Sequence, residues 1–211
     1  MNTETIANQW TLLGDIADIY LGLWLKTSDT NTRQEGVPVV TVRSLSDFGV
    51  DGSDVDWAEL TESKITKHRV EPGDVLIAAR STSLRTGVVP EDFPSHAVIN
   101  STLIGVRLDA NKLHPRLLVA WLNTPTGMNS LVESSQSGTA QMSIGSGRLK
   151  EMVVPLFPLA QQDKLVSLLE AADETYRASV DAADKRRLIA RQAVTNLLIA
   201  REMKSNGNES E

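Results

Sequence analysis

The chain is 211 residues long, with a formal net charge of −6 and no cysteine. That length holds one globular domain of about 150 residues and a further element. The missing cysteines exclude disulfides, thiolate-ligated zinc and a cysteine nucleophile, and they fit a reducing cytoplasm. The acidic balance speaks against a protein that coats nucleic acid non-specifically, but not against a local basic face. No apolar run approaches the roughly 20 residues a membrane helix needs, so no membrane partner is expected. The opening MNTETIANQWTLLGD lacks a basic start and a long apolar core, so a signal peptide is not expected.

In chain order, Leu12, Leu13, Ile16 and Ile19 suit a short strand or a turn of helix that breaks at Gly22. Residues 27–36 are polar and read as a loop. VPVVTVRSL, from Val37 to Leu45, is β-branched and predicts a strand with Pro38 near its edge. Residues 46–62 are acidic and turn-rich around Asp51-Gly52. Glu71-Pro72-Gly73-Asp74 is a tight turn that delivers a strand from Val75 to Ala79. Further short strands are expected at 86–89 and, as a pair or one long strand, at 97–108. Such a series predicts a small, mainly antiparallel β domain. Pro115 opens a helix that ends near Asn123-Thr124-Pro125, and a second short helix follows from Thr126 to about Ser134. Residues 135–151 read as loop and turn, and Met152 to Leu156 as a last strand.

From Pro158 to about Met203 there is no further proline or glycine. Leu165, Leu169, Ala172, Tyr176, Ser179, Ala183, Arg186, Ala190, Ala193 and Leu197 recur in alternating steps of four and three. This is a coiled-coil seam interrupted by an arginine. A helix over 161–203 would be about 65 Å long at 1.5 Å per residue. It is expected to project from the domain and to pair with another helix. The division expected is therefore α+β: a domain over 1–157, a long dimerisation and spacer helix over 158–203, and a disordered tail over 204–211.

With those segments in hand, the chain resembles a type I restriction–modification specificity subunit, in the form of one target-recognition domain and one helix. Four stretches carry the likeness in order: Leu13-Gly14-Asp15-Ile16-Ala17 with Gly22; Val70-Glu71-Pro72-Gly73-Asp74-Val75-Leu76-Ile77; Ser137-Gly138-Thr139-Ala140-Gln141 through Ile144 and Leu149 to Val153-Val154-Pro155-Leu156; and Pro158-Leu159-Ala160-Gln161-Gln162 leading into the helix. The chain departs from the pattern at Phe157, where a second proline is common, and at Met142, where asparagine is. The resemblance implies a non-catalytic chain that selects a bipartite target in double-stranded DNA. It implies docking to a separate methyltransferase subunit, which would hold S-adenosylmethionine, with a restriction subunit able to join. Family members usually carry two recognition domains and two helices. One of each here implies a homodimer with antiparallel helices reading a palindromic target.

A search for chemistry of the chain's own finds little. There is no Asn- or Asp-Pro-Pro-aromatic tetrapeptide for base methylation, no GxGxxG and no phosphate loop. His68, His96 and His114 are scattered, and Glu71 and Asp74 flank a Pro-Gly turn instead of forming a nuclease pair. No cofactor is expected in this chain. The best DNA-reading candidates come from a locally basic window: Arg80 and Arg85 first, then Lys67, Arg43 and Ser83. A polar stretch from Gln136 to Lys150 is a further candidate. Each has a bland alternative as solvated surface. A scaffold or decoy that binds the methyltransferase subunit without reading DNA is the rival function.

Overall fold

The computed structural model describes residues 9–46, 48–81, 84–136 and 142–207. β1 (Gln9–Leu12), a 3-10 turn (Leu13–Asp15) and β2 (Ala17–Leu21) open the chain. Then come β3 (Val37–Val40), a 3-10 turn (Val42–Ser44), β4 (Leu45–Ser46), β5 (Gly49–Val50), β6 (Asp56–Ala58) and α1 (Glu62–His68). The middle holds β7 (Val75–Ala78), β8 (Arg80–Ser81), β9 (Thr86–Val88), β10 (Val98–Ile99) and β11 (Leu103–Leu108). Last are α2 (Pro115–Leu122), α3 (Pro125–Glu133), β12 (Ser135–Gln136), β13 (Met142–Ile144), α4 (Ser146–Lys150), β14 (Val153–Leu156) and α5 (Leu159–Gly207).

The architecture is α+β with mainly antiparallel pairing, as expected. Its centre is a four-stranded sheet in the order β2-β11-β7-β9. All four residues of β7 are buried, so its apolar run does not alternate. Leu76 and Ala78 join a core with Val40, Val70, Ile99 and Leu103. Strand alternation turns Val75 and Ile77 to the other face, and α2 packs against β7 and β9. A smaller sheet, β10-β3-β6, contains the parallel pair β10–β3.

Several local readings change. The strand predicted over Val37–Leu45 stops at Val40, because Thr41 and Ser44 cap a 3-10 turn: the Thr41 hydroxyl accepts from the Arg43 amide and the Ser44 hydroxyl from the Thr41 amide. β3 is the middle strand of its sheet. Pro38 is tolerated there because it pairs only with Trp57 of β6; the ladder to β10 begins at Val39. The acidic, turn-rich stretch contains β5 and β6, and α1 and α4 arise where no helix was expected. The segment over 97–108 is a pair of strands. Helices α2 and α3 begin as their sequence signals say. His114 and Thr124 are the N-caps, each followed by a proline at the first helical position.

The chain divides into two compact units, Met1–Val166 and Ser167–Glu211. The first two turns of α5 belong to the first unit. There Gln162, 3% exposed, accepts from the His114 amide (2.8 Å) and donates to the carbonyls of Lys112 (2.8 Å) and Phe157 (2.8 Å). Val166, one turn further along, is also buried and Leu165 partly so. Helix α5 has 49 residues, about 74 Å at 1.5 Å per residue, and is described four residues past the expected end at Met203. The tail beyond Gly207 lies outside the described residues.

Candidate nucleic-acid interface

The basic window is held by a buried carboxylate. Asp74, whose side chain is 1% exposed, closes the Glu71–Asp74 turn by accepting from the Glu71 amide at 2.8 Å. It also accepts from the Tyr20 hydroxyl (2.6 Å) and from Nε (2.9 Å) and Nη2 (2.8 Å) of Arg107. Burial first, then the Asp74 charge, pushes the Tyr20 hydroxyl well above the usual tyrosine range. Arg107 also stacks over the Tyr20 ring, 5.4 Å from its centroid, and reaches Glu71 at 3.4 Å. Tyr20 lies across Gly105 on the neighbouring strand; a Cβ at Gly105 would overlap its ring. The network ties β2, β11 and the turn before β7 together, which fixes the strand that leads into Arg80.

Past β7 the chain enters a three-stranded sheet in the order β12-β13-β8. Its register sets Arg80 opposite Ser143, Ser81 opposite Met142 and Gln136 opposite Ser143. The Ile144 amide donates to the Ala79 carbonyl at 2.9 Å, continuing the pairing. Two polar stretches distant in sequence are thus brought side by side. Arg80 and Ser143 are both exposed.

Arg85 lies immediately before β9. Its guanidinium reaches the Leu45 carbonyl at 3.5 Å and lines a depression of about 420 Å³ with Leu45, Ser46, Leu84, Thr86 and Asn123. Thr86 donates to the Asn123 side-chain oxygen at 3.4 Å. Asn123 and Ser46 were not among the sequence candidates. Asn123 reads as a helix-ending residue in sequence, and only the packing of α2 on β9 turns it toward Arg85.

Arg43 and Lys67 sit on other elements. Arg43, in the 3-10 turn after β3, bonds Asp56 at 2.7 Å and lies 3.5 Å from Asp54. Hydrogen bonding to Asp56, then its charge, pushes the guanidinium above its ordinary value. The acidic stretch therefore neutralises it. Lys67 is exposed on α1, a helix that packs on β10 through a different part of the domain. Ser83 lies outside the described residues, as do residues 137–141 of the third polar stretch.

His114 caps α2 through Nδ1, and Nδ1 of His68 lies 2.8 Å from the Leu21 carbonyl. Among the described residues no group of three or more His, Cys, Asp or Glu is placed to hold a metal ion. Among the same residues no helix is long and apolar enough to cross a membrane. Along α5, Ala172, Tyr176, Ala183, Ala190, Ala193 and Leu197 are exposed and Leu169 is half-buried.

Residues 9–179 match the family model described as "Type I restriction modification DNA specificity domain". The EcoKI type I restriction enzyme specificity subunit of Escherichia coli is 24% identical over 148 residues, covering 68% of this chain and 32% of that subunit. Among solved structures, the HsdS subunit from Thermoanaerobacter tengcongensis superposes with a TM-score of 0.59 at 23% identity, over 84% of this chain and 40% of that one. The S subunit of a type I restriction–modification system from M. genitalium does so with a TM-score of 0.54 at 13% identity, over 82% and 41%. The chain spans about a third of the length of the curated relatives it matches, 32% and 35%.

Proposed function

The chain belongs to the type I restriction–modification DNA specificity domain family, and on that footing we propose that it is the non-catalytic sequence-reading subunit of a type I methyltransferase complex. It selects one half of a bipartite, palindromic target in double-stranded DNA. It works as a homodimer and docks a methyltransferase subunit, which carries S-adenosylmethionine; a restriction subunit joins the same assembly in the cytoplasm.

The observation that carries the DNA-reading part is the register of β13 on β8. It lines up exposed Arg80 with Ser143, a few residues before Arg85 and its polar depression. Arginine reads guanine bidentately in the major groove, and asparagine such as Asn123 reads adenine. Arg43 is engaged instead by Asp54 and Asp56 of the acidic stretch. The homodimer is supported by the exposed apolar residues of α5, among them Leu168, Ile189 and Leu197.

A second reading, a scaffold that binds the methyltransferase subunit without reading DNA, is favoured by the net charge of −6. Co-purification with a type I methyltransferase subunit from the same genome, followed by methylome sequencing with and without this chain, separates the two. A palindromic bipartite motif present only with the chain supports sequence reading. A stable complex without a motif supports the scaffold, and the lack of any complex defeats both.

A further inference from the structure

The most exposed large apolar side chain described in the first unit is Trp24, at 64%. It has no part in the network around Asp74 or in the Arg85 depression. Its neighbour Leu25 packs inward beside Val39, Ala58, Ile65 and Val98, while Trp24 and Lys26 on either side of it are exposed. A rigid indole with one polar N–H is the kind of side chain that a partner surface covers. Among the described residues the indole N–H has no hydrogen-bond partner and the Lys26 ammonium no ion pair. Arg43, Arg69 and Arg107, by contrast, are engaged by carboxylates.

One turn ties this corner to Arg80. The Leu23 amide donates to the Ile99 carbonyl at 2.7 Å, and the Leu23 carbonyl accepts from the Ser101 amide at 2.8 Å. One residue further on, the Thr102 carbonyl accepts from the amides of Ala79 (2.8 Å) and Arg80 (3.2 Å). The Asn100 side-chain oxygen accepts from the Thr102 amide at 3.1 Å and from the Thr102 hydroxyl, which fixes the turn. A Cβ at Gly22 would overlap the Asn100 carbonyl, so glycine lets the Trp24 segment run this close. On its other side, Nδ1 of His68 donates to the Leu21 carbonyl at 2.8 Å and braces the segment from α1. Paired chains lie about 5 Å apart and successive Cα atoms about 3.8 Å, which puts Leu23 and Arg80 within about 15 Å. The DNA major groove is roughly 12 Å wide. With Arg80 at base edges in the groove, Trp24 and Lys26 fall at its wall, where sugars and phosphates run.

We propose that Trp24 is a DNA-backbone anchor beside the Arg80 reading position: its indole covers a deoxyribose and donates Nε1–H to the adjoining phosphate, with Lys26 supplying charge. Such contacts position a protein on the duplex without choosing bases. Leu21, 54% exposed, extends the apolar surface. Asp29, the carboxylate of the same loop, accepts from the Lys26 amide at 3.2 Å and the Ser28 hydroxyl at 3.1 Å, and so is turned back on its own turn. The unpaired Lys26 ammonium and the turn shared with Arg80 favour a polyanion over an apolar protein face. The proposal rests on the DNA-reading function above and adds a residue that sets affinity and register.

The test uses the full chain assembled with the methyltransferase subunit and two duplexes of equal length, one carrying the motif returned by methylome sequencing and one lacking it. Trp24→Ala is expected to weaken binding to both duplexes about tenfold and to leave their affinity ratio within about twofold. Trp24→Phe, which keeps a ring but no N–H, should fall between. Arg80→Ala should instead lower the ratio. Because Trp24 is exposed, the thermal midpoint of Trp24→Ala by circular dichroism should match the wild type, so that lost binding is not lost folding. Lys26→Ala should reduce the slope of log affinity against log salt by about one.

Unchanged affinity of Trp24→Ala for both duplexes, with the wild-type complex still binding its motif, overturns the anchor alone. A loss confined to the motif duplex makes Trp24 a base reader and overturns the backbone role. A folded Trp24→Ala chain that no longer co-purifies with the methyltransferase subunit assigns this corner to the protein partner and overturns the proposal too. An unchanged salt slope overturns the part given to Lys26. A wild-type complex that binds neither duplex defeats the sequence-reading function and the anchor together.

Discussion

Asp74→Ala tests the scaffold of the candidate interface most directly. The carboxylate is 1% exposed and receives four hydrogen bonds: one from Tyr20, two from Arg107 and one from the Glu71 amide. Its removal leaves the Tyr20 hydroxyl and the Glu71 amide without their acceptor, at about 1–3 kcal/mol for each buried group so stranded. Arg107 is less costly to abandon. Its side chain is 37% exposed and keeps Glu71 at 3.4 Å and the Arg69 carbonyl at 3.2 Å, so water replaces much of what it loses. The expected cost is about 3 kcal/mol, the low end of the range for breaking a buried ion pair. Urea unfolding followed by tryptophan fluorescence measures it cleanly, because Trp10, Trp24, Trp57 and Trp121 all lie in the first unit. Adding Arg107→Met to Asp74→Ala should cost clearly less than the two single effects together, since the second change removes a charge already unpaired. A cost below about 1 kcal/mol for Asp74→Ala, or strict additivity in the pair, would refute the account.

Tyr20 has its hydroxyl pushed upward in the folded chain from its ordinary value of 10.0, by burial first and then by the Asp74 charge. A raised folded value stabilises the protein fully below the unfolded one, and that stability is lost as pH rises beyond it. Unfolding stability should therefore start to fall once pH passes 10, and Tyr20→Phe should flatten that alkaline loss; an unchanged profile counts against the Tyr20–Asp74 bond. Gln162→Ala strands the His114 amide and the Lys112 and Phe157 carbonyls, for about 2–3 kcal/mol. Gln162→Glu should be no better, because a carboxylate cannot donate to the two carbonyls; amide exchange at residues 159–166 would reveal either loss. Gly105→Ala drives a methyl group into the Tyr20 ring, with an expected cost of about 2 kcal/mol or more from overpacking. That cost should shrink in a Tyr20→Ala background. Arg80→Ala and Arg85→Ala, in the assembled complex, should each weaken target binding by about 1–3 kcal/mol if they read bases. Lys67→Ala should reduce affinity equally for all sequences or not at all, which competition binding at fixed salt distinguishes.

Much of the fold is legible in the chain. Proline at a first helical position announces α2, the break at Asn123-Thr124-Pro125 separates it from α3, and the glycine- and proline-free run announces α5, because those signals act between near neighbours. The Glu71–Asp74 turn is likewise local. Of the missed elements, α1 and α4 are helices of only 7 and 5 residues, too short to carry a periodic signal, while β6 and β13 depend on distant partners. Asp56-Trp57-Ala58 has no strand pattern strong enough to be read alone and becomes β6 by pairing with Val37–Val39. β12 and β13 are two and three residues long and exist because they pair with each other and with β8.

The candidate interface divides in the same way. Its residue types are visible in the sequence, since arginines among hydroxyl side chains stand out in an acidic chain. What tertiary structure decides is which of them share a surface. The β8–β13 register joins Arg80 to a segment 63 residues away at Ser143, and Arg43 pairs with Asp54 and Asp56. Helix packing delivers Asn123 to the edge of the Arg85 depression. By itself the sequence determined the family, the α+β class and the long helix, all written in local propensity and ordered short motifs. Strand register, ion-pair choice and the partners of Asp74 and Gln162 were left to the tertiary structure, because a hydrogen bond between residues 50 or more apart leaves no periodic trace in the chain that makes it.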